Sequence, residues 1–536
     1  MELNLADLFE VVSDEVPDAL AMVSDSRRLT YGGLDRRADR LAHHLLAAGV
    51  GPDDRVGVQL ANGTEYIETM LACFKIRAVP VNVNYRYVTR ELEYLYANAG
   101  LVGLVFHRRF GPAVIGALGT LTDRRAILEV ADGAPAVDVG VEYEDALAAS
   151  PEGRDFPARS AGDSYCVYTG GTTGMPKGVL WRHDDIFFAA MGGGDPFAAG
   201  NHIARPEELA DRVLRPGITA LAVPPFMHAA GHWLAFSTLF GGGTVVTTPG
   251  GIFEPVEVWR LVEAERANAV VVVGDAMARP LLDVLAADPD RFDLSSLMAV
   301  GSGGAVLSPS TKSQLAELLP GRIVADRFGS SETGQVGGEA PADDPFGPPR
   351  LRVDERTTVL DDDLRPVAPG SDVIGHLARG GRVPLGYLGD PDASATTFVV
   401  RDGTRWALPG DQASVAADGT ITVHGRGSLC INTGGEKVFP DEVEAALKGH
   451  PHVADALVVG LDDERFGQRV VALVQVRPGR EVGPEELRAH GHELLTGYKV
   501  PRQFVFVDEI VRSPSGKPDY PHARSVAEAH AAATGD

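Results

Sequence analysis

Apolar residues recur at helical spacing through Leu34, Ala38, Leu41, Leu45 and Leu46, one face of a helix. The run Arg55-Val-Gly-Val-Gln-Leu60 then reads as a strand, residues 65–75 return to helical period, and 78–83 form another short apolar run. This alternation predicts β-α-β units and a largely parallel sheet. The same pattern returns at 219–223, 244–248, 269–273 and 297–300. Past residue 350 the runs shorten and turns such as Asp361-Asp-Asp, Pro369-Gly and Asp402-Gly separate them, which predicts an antiparallel β portion. A second break falls at Gly425-Arg-Gly-Ser428. Beyond it, 440–448 and 485–495 read as helices, and 456–459 and 470–476 as strands.

A chain of 536 residues exceeds what one core serves. The predicted class is α/β. A large N-terminal domain, 1–424, combines β-α-β layered sheets with a β-rich subdomain. A hinge at 425–428 leads to a small mobile α+β domain at 429–536. Leu5, Leu8, Phe9 and Val12 lie at helical spacing with no basic segment before them, which predicts an amphipathic surface helix and not a signal peptide.

Composition narrows the partners. The net charge of −25 argues against nucleic acid and anionic membrane surfaces, both of which reward positive charge. It does not exclude ATP, because a nest of backbone N–H groups with one lysine can override a repulsive field. Cys73, Cys166 and Cys430 are scattered and offer neither metal spacing nor a disulfide framework, so a cytoplasmic location is expected. No apolar stretch of about 18 residues is present to span a bilayer.

The strongest chemical signal is Thr169-Gly-Gly-Thr-Thr-Gly-Met-Pro-Lys177, which follows the apolar run Tyr165-Cys-Val-Tyr168. Gly170, Gly171 and Gly174 let backbone N–H groups approach a ligand. Thr169, Thr172 and Thr173 add hydroxyls, and Lys177 adds a point charge for phosphate. Pro before Lys177 and Gly after it depart from the Walker pattern, which disfavours a P-loop kinase or GTPase.

Weaker signals follow in order. Phe328-Gly-Ser-Ser-Glu-Thr-Gly334 sets an aromatic face beside Glu332, whose carboxylate suits Mg²⁺ shared with phosphate oxygens. Gly410-Asp411, the segment from Gly425 to Glu444, and Ser513-Pro-Ser-Gly-Lys517 complete the series. Each alone is an ordinary turn.

Together, in this order, the chain resembles the adenylate-forming superfamily of acyl-CoA synthetases, peptide-synthetase adenylation domains and luciferases. The resemblance covers nearly the whole length. It implies that Thr169 through Lys177 hold the ATP phosphates and that Gly303, Gly304 and Ala305 floor the adenine. Phe328 stands where the family has Tyr, and Gly329 and Ser331 fill the rest of that motif, with Ser331 in place of Thr. Asp326 lies where a side chain often faces the adenine amino group. Asp411 and Arg426 match ribose-binding residues, and Glu332 matches the magnesium ligand. Lys517 matches the lysine that enters the site during adenylation, and the Gly434, Gly435 and Glu436 face replaces it for coenzyme A. His228 matches a gate beside the acyl tunnel. Ser428 departs from the usual Asp or Lys at the hinge.

Asn82-Val-Asn-Tyr-Arg-Tyr-Val88, Trp181-Arg-His-Asp-Asp185, Gly274-Asp-Ala-Met-Ala-Arg-Pro280, Gly329-Ser-Ser-Glu-Thr-Gly334 and the segment from Ser513 to Tyr520 narrow the resemblance. They are similar to actinobacterial CoA ligases for steroid side-chain and other polycyclic acids. The implied activity is conversion of a bulky apolar, polycyclic or long-chain carboxylic acid to its CoA thioester, with ATP, Mg²⁺ and coenzyme A. A homodimer is compatible with it. Two other readings stay open, an enzyme of only one half-reaction and a non-catalytic acyl- or nucleotide-binding relative.

Overall fold

The computed structural model describes residues 1–169, 175–195, 201–305, 307–340, 349–433, 436–463, 466–512 and 517–534. Among them the strands form three sheets of fifteen, eight and five strands. The largest changes character along its width. Strands Leu20–Ser24, Thr244–Thr247, Thr219–Ala222, Ala269–Val272, Ala299–Gly303 and Ile323–Ser330 run parallel in that spatial order. From Ile323–Ser330 onward every pairing is antiparallel, through Gly334–Glu339, Arg350–Val353, Ile421–Arg426 and Asp411–Val415. The later β-α-β strands, from Thr219 onward, and the antiparallel portion are thus halves of one sheet, while the earlier β-α-β strands belong to a second one. The eight-stranded sheet carries Arg55–Gln59 between Val79–Asn82 and Leu101–His107, all parallel.

The five-stranded sheet belongs to the small C-terminal domain. Its main hairpin pairs Val453–Asp463 with Gly467–Val476, and helices Pro440–Lys448, Pro484–Leu494 and Tyr520–Thr534 accompany it. The strand expected at 456–459 runs further at both ends. Its polar residues Asp455, Asp462 and Asp463 are carried into the ladder by pairing, which outweighs their low strand propensity. The strand expected at 297–300 runs instead from Ala299 to Gly303, because Gly303 is held opposite Arg327.

The N-terminal helix, Leu5–Glu15, is not a surface helix. Leu5, Leu8, Phe9 and Val12 are buried, and so are Asp7, Glu10 and Ser13 on its polar side. That side meets charge and not water. Glu10 lies 2.7 Å from the buried Lys75, which is also 2.7 Å from Asp35 and 2.8 Å from Asp39. Arg159 closes on Glu10 and Asp7, both at 2.5 Å. The only acidic cluster of metal-ligand spacing among the described residues, Glu10, Asp35 and Asp39, is therefore filled by an ammonium group. Among the described residues no helix is long and apolar enough to cross a membrane.

Candidate active site

The glycine-threonine segment joins two antiparallel strands, Ser164–Thr169 and Lys177–Arg182, with Thr169 directly opposite Lys177. Gly170, Gly171, Thr172, Thr173 and Gly174 lie outside the described residues. Their anchors are well defined. Buried Asn82 accepts from the backbone N–H of Tyr168 at 2.6 Å and donates to the carbonyls of Tyr168 and Met227 at 2.8 and 2.6 Å. Asn62 does the same for the neighbouring loop, accepting from Phe226 N at 2.6 Å and donating to Pro224 O at 3.0 Å. Asn82 thus ties the root of the glycine loop to the segment that carries His228, and Asn62 braces that segment from within.

His228 caps the helix Ala229–Phe240, and its Nε2 is buried without a partner among the described residues. Burial, then the charges of Lys517 and Arg86, push its imidazole down to about 3, so it is neutral. His232 is a core histidine. Its Nδ1 donates to Phe226 O at 2.7 Å, and that tautomer leaves Nε2 to accept from the Tyr165 hydroxyl. Tyr165 in turn accepts from Trp233 Nε1 at 2.9 Å.

Glu332 is half-buried and accepts at Oε1 from the Tyr387 hydroxyl at 3.0 Å. The Lys177 ammonium lies 5.1 Å from the centre of the same tyrosine ring and 3.1 Å from Asp390. The carbonyl of Ser331 accepts from Trp181 Nε1 at 3.0 Å, which fixes the Glu332 turn against the strand following the glycine loop. Gly329 is required there, because a Cβ would stand 2.2 Å from the carbonyl oxygen of Gly334. Tyr387 joins the phosphate-side lysine to the acidic residue, and Asp390 pairs that lysine. Neither carried a sequence signal, since a tyrosine after glycine and an aspartate before proline are common in turns.

Asp411 and Arg426 face each other on paired strands, with Arg426 Nε 3.1 Å from Asp411 Oδ1. Burial raises the Asp411 carboxyl above its usual range, with the Arg426 charge opposing and the Glu332 charge adding to it. Lys517 lies near enough for Glu332, Asp411 and Arg426 to act on its charge, its side chain exposed yet crowded by protein. That crowding lowers its pKa below the ordinary lysine range, against the attraction of Glu332; Arg426 lowers it further and Asp411 raises it. Its charge is also felt at His228. Glu332, Asp411, Arg426, His228 and Lys517, scattered over 290 positions (517 − 228 = 289 steps), thus share one electrostatic neighbourhood.

Ala305, Asp326 and Phe328 line one small cleft with Lys312 and Glu339. Gly304 adopts φ +88°, which only glycine takes readily, and Gly303 faces Ala230, where a Cβ would lie 3.8 Å from the alanine Cβ. Asp326 is engaged by Lys312 at 2.7 Å, and burial raises its carboxyl to about 6. Gly434 and Gly435 lie outside the described residues. Glu436 is exposed on the strand Glu436–Val438, and among the described residues no hydrogen bond or ion pair joins it to the Asp411 cleft.

The family described as AMP-binding enzyme matches residues 9–388, and its C-terminal domain matches 442–517. The chain is 47% identical to the 3-oxocholest-4-en-26-oate–CoA ligase of Rhodococcus rhodochrous, covering 98% of this chain and 96% of that protein. It is 48% identical to a medium/long-chain-fatty-acid–CoA/3-oxocholest-4-en-26-oate–CoA ligase of Mycolicibacterium smegmatis, over 98% and 97% of the two. Among solved structures, the anthranilate CoA ligase AuaEII in complex with anthranoyl-AMP superposes with a TM-score of 0.85. Its identity is 23%, over 99% of this chain and 98% of that one, a likeness of fold.

Proposed function

Because the chain belongs to the AMP-binding enzyme family, as an AMP-forming acid–thiol ligase that uses ATP and coenzyme A, we propose that its acid is bulky and apolar, with a polycyclic or long-chain body. The convergence of Lys517 on Glu332, Asp411 and Arg426 across the two domains is the observation that carries the site assignment.

In the first half-reaction the acid carboxylate attacks the α-phosphorus of ATP and pyrophosphate leaves. Anions must approach one another, so the chemistry is mainly charge management. Lys517 neutralises charge between carboxylate and α-phosphate, while Lys177 and the glycine-threonine loop hold the departing phosphates. Asp411 and Arg426 orient the ribose; Ala305, Asp326 and Phe328 border the base. Glu332 offers a hard carboxylate oxygen, and one carboxylate completed by phosphate oxygens is a donor set that Mg²⁺ favours. The ion would neutralise phosphate charge when bound.

In the second half-reaction the thiol of coenzyme A attacks the acyl carbonyl and AMP leaves. Neutral His228 offers no positive charge to the incoming carboxylate of the first step or to the acyl-adenylate of the second, so it serves as a wall of the tunnel. A rotation about residues 425–428 withdraws Lys517 and brings up the Gly434, Gly435 and Glu436 face. Support for a bulky acid comes from the near relatives' substrates and from the small residues Ala229, Ala230, Gly301 and Gly303 around the path.

Pyrophosphate release over a panel of fatty, aryl and polycyclic acids, with and without coenzyme A, tests this reading. Turnover strongest with polycyclic or long-chain acids is expected. A preference for small aryl acids would reject the proposed acid, and release of pyrophosphate without any thioester would reject the second half-reaction.

A further inference from the structure

Arg279 belongs to the large domain, on the helix Gly274–Ala287, and is buried with 8% of its surface exposed. Its guanidinium is spent on the small domain. It donates to Ala454 O at 2.5 Å, Val453 O at 3.2 Å and Lys448 O at 3.3 Å. Lys448 ends the helix Pro440–Lys448, whose last carbonyls lack intrahelical donors, and Val453 opens the strand Val453–Asp463. Asp275 holds the guanidinium from behind at 3.2 Å, with the Ser310 and Thr311 hydroxyls at 3.3 Å. Ser310 also donates to Lys448 O at 3.4 Å.

The grip continues toward the cleft. Residue 455, next to the gripped carbonyl, is an aspartate that takes Arg512 in a two-pronged pair, both bonds 2.8 Å. Arg512 stands five residues before Lys517 in sequence (517 − 512 = 5). A continuous run of polar contacts therefore leads from the large domain through Arg279, the 453–455 backbone and Asp455 to the base of the Lys517 segment.

We propose that Arg279 is a positioning residue that latches the small domain in the orientation that points Lys517 at the Asp411 and Glu332 cleft, and that it releases for thioester formation. The idea rests on the two-step reading above. Rigid rotation about 425–428 cannot preserve three bonds to one guanidinium, so the latch favours only one orientation. On release the guanidinium and the carbonyls exchange each other for water, so the bias is moderate and the domain can still turn over.

The test compares Arg279→Ala, Arg279→Lys and Asp455→Asn with the wild type in both half-reactions. Acid-dependent ATP–pyrophosphate exchange is expected to fall about ten- to hundredfold in Arg279→Ala, the range of a typical coupling between states. Thioester formation from supplied acyl-adenylate and coenzyme A should stay within about threefold of the wild type, or rise, because loss of the latch does not touch the second orientation. Arg279→Lys should recover part of the exchange, since an ammonium reaches fewer of the carbonyls. Asp455→Asn should reproduce the split. Independently of activity, cysteines placed by Asp283→Cys and Arg477→Cys, where the native side chains approach to 3.9 Å, report the orientation through a short bis-maleimide in a Cys430→Ser background. Cross-linking should fall when Arg279→Ala is added. Equal losses in both half-reactions, unchanged exchange, or unchanged cross-linking would each overturn the latch. A wild type that exchanges no pyrophosphate would instead reject the adenylation reading, and the cross-link would still decide the latch.

Discussion

Arg426 Nε stands 3.1 Å from Asp411 Oδ1, and the two residues are directly opposite in the ladder. Arg426 is also the last residue of its strand, so the proposed ribose contact and the exit toward the small domain share one rung. Gly427 N donates back to Gly410 O at 3.0 Å, and Gly425, at φ +113°, leaves space that a Cβ would lose to Asp441 at 2.3 Å.

Asp411→Ala should raise the KM for ATP more than it lowers kcat. A ribose contact is made alike in ground and transition states, and a hydrogen bond to a charged group contributes about 1.5–3 kcal/mol. Steady-state kinetics with ATP varied checks this; a pure kcat effect would contradict the role.

Lys517→Ala should cripple adenylation yet spare thioester formation from preformed acyl-adenylate. Removing one preorganised charge costs on the order of 3 kcal/mol, about a hundredfold in rate. The lowered pKa adds a sign. A lysine whose pKa is held below its ordinary 10.5 loses its charge at lower pH, so adenylation should fade on an alkaline limb below that value. Pyrophosphate release against pH reads it.

Ser428→Pro should slow one half-reaction far more than the other. Residues 427–429 form a tight turn between the sheet of the large domain and that of the small one. A fixed φ there restricts rotation without touching either reaction's chemistry. Uniform loss in separately measured half-reactions would argue against a hinge.

Glu444 should make the small domain less stable as pH rises. Its buried carboxylate accepts from Val458 N at 2.9 Å and the Tyr520 hydroxyl at 3.0 Å, and burial raises it from 4.5 to about 7 despite the Lys448 charge. A raised carboxyl pKa means that the native state holds the proton longer than the unfolded chain. Its stabilising effect is therefore complete below pH 4.5 and lost as pH rises toward 7, on the order of 1–3 kcal/mol. Denaturant midpoints of Glu444→Gln and wild type across that window should differ most at the alkaline end.

Much of the scaffold was legible because hydrophobic period is a local property. The helix at Pro440–Lys448 and the strand at Arg55–Gln59 follow from spacing alone. The motif order also pointed to Lys177, Glu332, Asp411, Arg426 and Lys517 as one set. Local pattern erred where a partner supplies what water otherwise would. The helix Leu5–Glu15 looks amphipathic, yet its acids meet Lys75 and Arg159 in the interior.

The sequence by itself determined the order of elements, the change from parallel to antiparallel texture and the chemical types available to the site. Only the tertiary structure decided that Tyr387 bridges Lys177 and Glu332, that His228 is neutral while His232 is a core residue, and that Arg279 grips the small domain. Periodicity and turn chemistry act over a few residues and are written locally. Desolvation, charge neighbours and contacts between domains arise from residues hundreds of positions apart, and they exist only once the chain has folded.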